Sequence, residues 1–343
     1  MSWSQRATTL AAAACVAGLG LTGAASAHER AVPRHVFAPY VETYLPDSPA
    51  ALAKQSGAKY LTLAFLQTAA AGSCTLTWNG DAAAPVSWAV YGKDIAAIRR
   101  AGGDVIPSFG GYGADTTNTE IADSCTDVKA IAAAYEKVIT TYGVTRLDFD
   151  VEADSLTNTA AIDRRNKAIA LVQDWARKHH RTVQFVYTLP TFTTGLSAPG
   201  VALLQNAEQN HAHVSIVNIM TFDYYDNQPH EMADDTVTAA TGLVGQLKAL
   251  HPNASSRQLW SQVGVTEMVG IDDFGPAETF TTADAVQVKR WAAKQGIAEL
   301  SFWALQRDNG GCVGTGGSNT CSGVAQETWQ FSHTFAPFTS RGA

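Results

Sequence analysis

The chain predicts an α/β fold, a single (β/α)8 TIM barrel, and three observations carry that prediction. Eight short apolar runs alternate with helix-like stretches from residue 36 onward. Most of these runs are continuously apolar rather than alternating, which is how parallel strands covered on both faces read. The chemically unusual residues fall at the C-terminal ends of the runs, and in a closed barrel those ends form one rim.

The elements follow in order. A first strand over 36–41 leads to Asp47-Ser48-Pro49, a cap residue just before a proline suited to the first turn of a helix. A second strand over 60–66 precedes a helix over 87–101, a third over 105–109 precedes a helix over 128–142, and a fourth over 146–151 precedes a helix over 159–179. Strands over 183–189, 214–221, 259–266 and 299–304 complete the eight, with helices over 201–211, 232–250 and 282–295 between them. Gly57, Gly102, Gly143 and Gly296 stand where helices should stop. The rim then collects residues 108–111 from the third strand, Asp150 and Glu152 from the fourth and Tyr187 from the fifth. Met220, Asp223 and Tyr224 come from the sixth, Glu267 and Met268 from the seventh, and Trp303 from the eighth.

The start of the chain reads as a leader. Arg6 precedes an apolar run over 10–21, and Ala25-Ser26-Ala27 is a small-residue cleavage pattern. The expectation is a signal peptide over 1–27, a secreted protein beginning at His28, and one catalytic barrel domain over 28–343. The apolar run is too short and too weakly hydrophobic for a good membrane span. Cys15 lies inside the run rather than after it, which argues against lipid attachment. Removing the leader takes only Arg6 from the 24 Lys and Arg, leaving 23 against 31 Asp and Glu, a net charge of −8. That balance speaks against nucleic acid or an anionic membrane surface as partner. Four cysteines remain, Cys74, Cys125, Cys312 and Cys321, an even number that in an exported chain suggests two disulfides. Proximity favours Cys312 with Cys321 across a Gly-rich loop, leaving Cys74 with Cys125. The His211-Ala212-His213 pair has no evident third ligand, so no metal and no cofactor are expected. A monomer is expected.

The fourth strand carries the chemistry. In Leu147-Asp148-Phe149-Asp150-Val151-Glu152 the acids stand at every second position, so Asp148, Asp150 and Glu152 leave one face and the apolar residues the other. Three carboxylates on one side of a strand resist ionising together. The alternative is a solvated acidic face, but the surrounding sequence is apolar. Unequal carboxyl pKa values at a barrel rim suit general acid catalysis.

At this point a family resemblance emerges. The run from Val144 through Thr145, Arg146 and Leu147 to Glu152 resembles the fourth-strand Asp-x-x-Asp-x-Asp-x-Glu signature of glycoside hydrolase family 18, the chitinases. Ser108-Phe109-Gly110-Gly111 resembles that family's Ser-x-Gly-Gly motif on strand three, and Met220-Thr221-Phe222-Asp223-Tyr224 its Met-x-Tyr-Asp motif on strand six. Ser301-Phe302-Trp303 resembles the strand-eight segment whose Trp floors the sugar site. Two positions depart from the pattern. The family's first Asp falls on Thr145, which implies tuning of Asp148 rather than loss of activity. The family's strand-six Tyr falls on Phe222, which has no hydroxyl for the substrate acetamido group; Tyr224, Tyr225 and Tyr187 are the candidate replacements.

The resemblance implies chitin or N-acetylglucosamine oligosaccharides as substrate, cleaved with retention by participation of the substrate's acetamido oxygen. Glu152 is then the general acid, Asp150 orients the acetamido group, and Asp148 shares a proton with Asp150. Trp303 suits the sugar floor, Ser108 a buttress beneath Asp148, and Gly110 and Gly111 either a close backbone approach or an ordinary turn. Asp223 lines the site or serves as a turn residue. Glu267, Met268, Asp272 and Asp273 either touch sugars or form a solvated loop. Trp78 and Tyr112 are loop aromatics that could extend the cleft. Competing readings are an endo-β-N-acetylglucosaminidase with the same acid, a lysozyme-like enzyme, and a sugar-binding lectin on the same barrel, which typically lacks the acid that Glu152 supplies here.

Overall fold

The computed structural model of the chain describes residues 31–341, so the expected leader over 1–27 and its cleavage point lie outside the described residues. Eight parallel staves ring the barrel. The first, β1, runs in two pieces, Val36–Phe37 and Tyr40–Glu42. Next come β2 (Tyr60–Thr68), β3 (Asp104–Gly110), β4 (Arg146–Asp150) and β5 (Gln184–Phe192). The set ends with β6 (Ile216–Met220), β7 (Val263–Met268) and β8 (Glu299–Trp303). From β2 to β8 each stave pairs in parallel with the next. The first piece of β1 pairs with β8 and the second with β2, so residues 36–42 join the two ends of the sheet and close the ring. Backbone bonds from Ala38 to Leu300 (3.1 Å) and from Thr62 to Pro39 (3.0 Å) carry the ladder across the break.

The longer helices are those the sequence predicts, with shifted ends, and short unpredicted helices such as Tyr112–Asp115 and Ala153–Thr157 lie between them. Residues 256–260 were expected to open the seventh strand in part, at Leu259; they form the helix Ser256–Trp260 instead, because Ser255 and Gln258 make a reciprocal capping box. The helix expected from residue 201 begins earlier, as Ala198–Gln209, where the Ser197 side chain accepts from the Gly200 amide and a proline occupies the first turn. Among the described residues no helix is long and apolar enough to cross a membrane.

Alternate residues of each stave divide two environments. The outer set packs against the helices: Phe149 of β4 stacks between Phe109 (5.0 Å) and Phe185 (6.1 Å), with Tyr135 edge-on at 5.1 Å. Burying such a ring stabilises by roughly 1.5–3 kcal/mol, and truncating it to Ala would cost about 3–5 kcal/mol. The inner set fills the barrel in layers. At the base Arg146 and Glu299 form a buried ion pair at 2.7 Å. Above them lie the polar residues Asp148, Ser108, Thr188, Asn218 and Thr266, all buried. Disulfides join Cys74 to Cys125 and Cys312 to Cys321, the pairing that proximity favours. The first ties together the excursions that follow β2 and β3, on the side of the barrel where the rim loops lie.

Candidate active site

The carboxyl ladder of β4 faces the barrel interior. Asp148 accepts hydrogen bonds from Tyr40 Oη (2.9 Å) and Ser108 Oγ (2.6 Å) at one oxygen and from Thr188 Oγ1 (2.7 Å) at the other. Three staves therefore hold one carboxyl, and Ser108 is the buttress its position predicts. Burial pushes the pKa of Asp148 up, and the three hydroxyls and Arg146 pull against that push. Strand alternation puts Arg146 in the interior beneath Asp148, where its charge acts on that carboxyl.

One pleat higher, Asp150 is buried and its Oδ1 has no hydrogen-bond partner among the described residues. Burial, then the charges of Glu152, Asp148 and Asp115, hold its pKa well above the usual carboxyl range. Glu152 sits at the mouth, partly exposed. Burial raises it to about 7, with Asp223 and Asp273 adding to the push, while the Tyr112 backbone amide acts in the other direction. The main cause is desolvation rather than one neighbouring anion.

The floor beside these acids is aromatic. Trp303 stacks nearly parallel on Phe65, with centroids 5.7 Å apart, and Tyr40 leans on it at 5.8 Å. Met268 lies in register with Trp303, and Met220 ends β6 on the same inner face as Asn218. The turn after β3 shapes the wall. Gly110 and Gly111 have φ of +89° and +78°; a Cβ on Gly110 would meet the Asp150 carbonyl at 2.2 Å, and one on Gly111 the Phe65 ring at 2.5 Å. Both the left-handed backbone and the close approach require glycine there. The peptide bonds Ala64–Phe65 and Trp303–Ala304 are cis.

The loop after β6 supplies the opposite wall. Asp272 accepts from the Asp223 amide (3.1 Å), and Glu278 accepts from the Tyr224 (2.7 Å) and Tyr225 (3.0 Å) amides. Asp223 itself is pushed up to about 6 by burial and by Asp273. Asp272 is thus a buried anchor for the loop, not a sugar contact.

Several expected site residues lie elsewhere. Tyr187 points out of the barrel: it is in register with Phe149, and its hydroxyl donates to Asn166 Oδ1 at 2.6 Å on the helix Thr159–Lys178. Glu267 also faces outward, accepting from Thr221 and Thr236, both at 2.8 Å, behind the seventh strand. Tyr224 is buried against His230 with ring centroids 5.0 Å apart. Of the three candidate tyrosines, Tyr225 is the one exposed at the rim, at 57 %. Trp78 is fully buried and donates to Tyr142 Oη at 2.9 Å, so it extends the core and not the cleft, whereas Tyr112 is exposed. The sequence reading missed Tyr40, Phe65, Thr188 and Asp115. Asp115 Oδ2 accepts the Glu152 backbone N–H at 2.5 Å, a contact across 37 residues that no local pattern signals.

The arrangement can hold a proton near neutral pH on a carboxyl at the mouth, beside a second carboxyl with a spare acceptor and over an aromatic floor. No group of three or more His, Cys, Asp or Glu among the described residues is arranged to hold a metal ion. A sequence profile described as Glycosyl hydrolases family 18 matches residues 36–284. The chain belongs to glycosyl hydrolases family 18. This family 18 chain is 35 % identical over 326 residues to an Escherichia coli (strain K12) protein named "Probable bifunctional chitinase/lysozyme", covering 91 % of this chain and 35 % of that one. It is 34 % identical over 290 residues to "Endochitinase 11" of Metarhizium anisopliae, covering 82 % of this chain and 54 % of that one. The chain thus spans about a third to a half of the length of these relatives. Among solved structures, the catalytic domain of a hyperthermophilic chitinase from Pyrococcus furiosus superposes with a TM-score of 0.79 at 31 % identity, covering 91 % of this chain and 97 % of that one. Catalytic-site mutants of active domain 2 of a Pyrococcus furiosus chitinase, complexed with chito-oligosaccharides, match at the same TM-score of 0.79 and 30 % identity.

Proposed function

We propose that the protein is a chitinase that hydrolyses β-1,4 linkages between N-acetylglucosamine units with retention, through the substrate's own acetamido oxygen. The observation that carries this reading is the pairing of Glu152, raised to about 7, with the buried and unpartnered Asp150 Oδ1 one pleat below. Glu152 gives its proton to the glycosidic oxygen as the bond from C1 to that oxygen breaks. The acetamido carbonyl oxygen attacks C1 from the other face and forms an oxazolinium ion. Asp150 accepts the acetamido N–H and, by passing its proton toward Asp148, presents negative charge to the cation. Water then gives a proton to the Glu152 carboxylate and attacks C1 as the bond from C1 to the acetamido oxygen breaks, which restores both the acid and the acetamido group. Trp303 and Phe65 form the apolar surface on which the sugar face rests. Tyr225, exposed at the rim, takes the part that Phe222 cannot in this reading. The chitin chemistry in the names of the relatives agrees with this reading.

Glu152→Gln tests it directly. Hydrolysis of chitohexaose should stop while calorimetric binding of chito-oligosaccharide persists; near-native turnover would assign the acid to another residue. Proton NMR of the first product should show the β anomer, and an α anomer would exclude acetamido participation. We also infer a secreted enzyme that acts as one chain, matured after Ala27, since two disulfides suit an oxidising compartment. N-terminal sequencing of exported protein should begin at His28.

A further inference from the structure

We propose that Asp115 is a positioning residue for Glu152: its carboxyl group fixes the main chain of the general acid from across the cleft wall. This rests on Glu152 being that acid. Asp115 closes the short helix Tyr112–Asp115, which follows directly from the two glycines at the end of β3. It is 1 % exposed, its Oδ2 takes the Glu152 N–H at 2.5 Å, and its Oδ1 lies 3.3 Å from where a Cβ on Gly110 would stand. Glu152 precedes the helix Ala153–Thr157 as its cap, so its own amide makes no bond within that helix. The side chain of Asp115 is what satisfies it. The same four-residue helix presents the Tyr112 amide to the Glu152 carboxyl. One small element therefore grips the acid at both ends, the backbone through Asp115 and the side chain through Tyr112.

The charge setting permits this contact. Asp115 faces Glu120, Glu152 and Asp150, with Arg165 opposing, and burial first of all pushes it up to about 9. It is neutral at the pH where Glu152 works, so it braces the acid without adding another full negative charge beside Asp150. Its Oδ2 is taken by the Glu152 amide, whereas its Oδ1, like that of Asp150, has no hydrogen-bond partner among the described residues.

The test compares Asp115→Ala and Asp115→Asn in the full chain on chitohexaose, with Glu152→Gln assayed alongside. Loss of the acceptor should lower kcat about ten- to a hundred-fold through misplacement of the acid, with KM and calorimetric Kd within a factor of about three. Asn keeps an acceptor at the same place and should restore most of kcat. If the alanine variant does not fold, Asp115→Leu, similar in size and without an acceptor, takes its place. Wild-type kcat in the acceptor-free variant while Glu152→Gln is inactive would overturn this inference and leave the acid assignment standing. An Asn variant as impaired as the Ala variant would overturn it as well. An active Glu152→Gln would instead remove the assignment on which it rests.

Discussion

Glu152→Gln should stabilise the protein at neutral and alkaline pH while it abolishes turnover. The ordinary value for the side chain is 4.5, and in the fold it is raised to about 7, chiefly by burial. Below about pH 4.5 both folded and unfolded chains hold the proton, and the group contributes no difference. Between the two values the unfolded chain releases its proton and the folded chain keeps it, so stability falls as pH rises. Above about 7 the loss is complete. The difference between 4.5 and about 7, at about 1.4 kcal/mol for each tenfold change, amounts to about 3–4 kcal/mol. Glutamine has the shape of the protonated acid and no proton to lose, so the variant avoids that loss. Asp150 also loses a like neighbour that raises it, which acts in the same direction. The difference between variant and wild type should therefore grow from near zero at pH 4 to about 3–4 kcal/mol at pH 8, or about 5 °C in Tm for a chain of this length. Scanning calorimetry at both pH values reads it directly. A variant equally stable to wild type at pH 8, or destabilised there, would refute the claim that the fold carries a desolvated, unfavourable ionisation at this position. The expected trade of stability for activity is general for active sites.

Other outcomes follow from neighbouring contacts. Asp223→Asn removes a charge that raises Glu152 and that is present above about pH 6; the alkaline limb of kcat/KM should move to lower pH by up to about one unit, measured on chitotetraose. Gly111→Ala places a Cβ 2.5 Å from the Phe65 ring at a φ of +78°; stability should fall by about 1–3 kcal/mol, and KM should rise as the Phe65–Trp303 stack is displaced, read by urea titration and steady-state kinetics. Cys74→Ser with Cys125→Ser opens a loop of 51 residues; about 4 kcal/mol and about 6 °C in Tm should be lost, with the oligosaccharide Kd little changed.

The sequence by itself determined the barrel and the face of β4, and it favoured the disulfide pairing that the structure shows. Eight apolar runs at helix-length intervals leave few topologies, and on β4 polar and apolar residues alternate, so Asp148, Asp150 and Glu152 declare their shared side. On β5 and β7 that signal is missing. Both faces of such a stave are buried, so apolar residues around Tyr187 fall on both and do not mark which look inward; pairing in register with Phe149 and the bond to Asn166 show that Tyr187 looks out. Glu267 differs from Met268 by one position, and one position on a strand is the difference between the helix layer and the cleft. Tyr224 and Tyr225 are neighbours in a loop without period; Tyr224 packs against His230 and is buried while Tyr225 stays exposed. Tyr40, Phe65 and Asp115 reach the site from other staves and loops. Their roles come from contacts between residues far apart in the chain, which closure of the ring creates and no local pattern encodes.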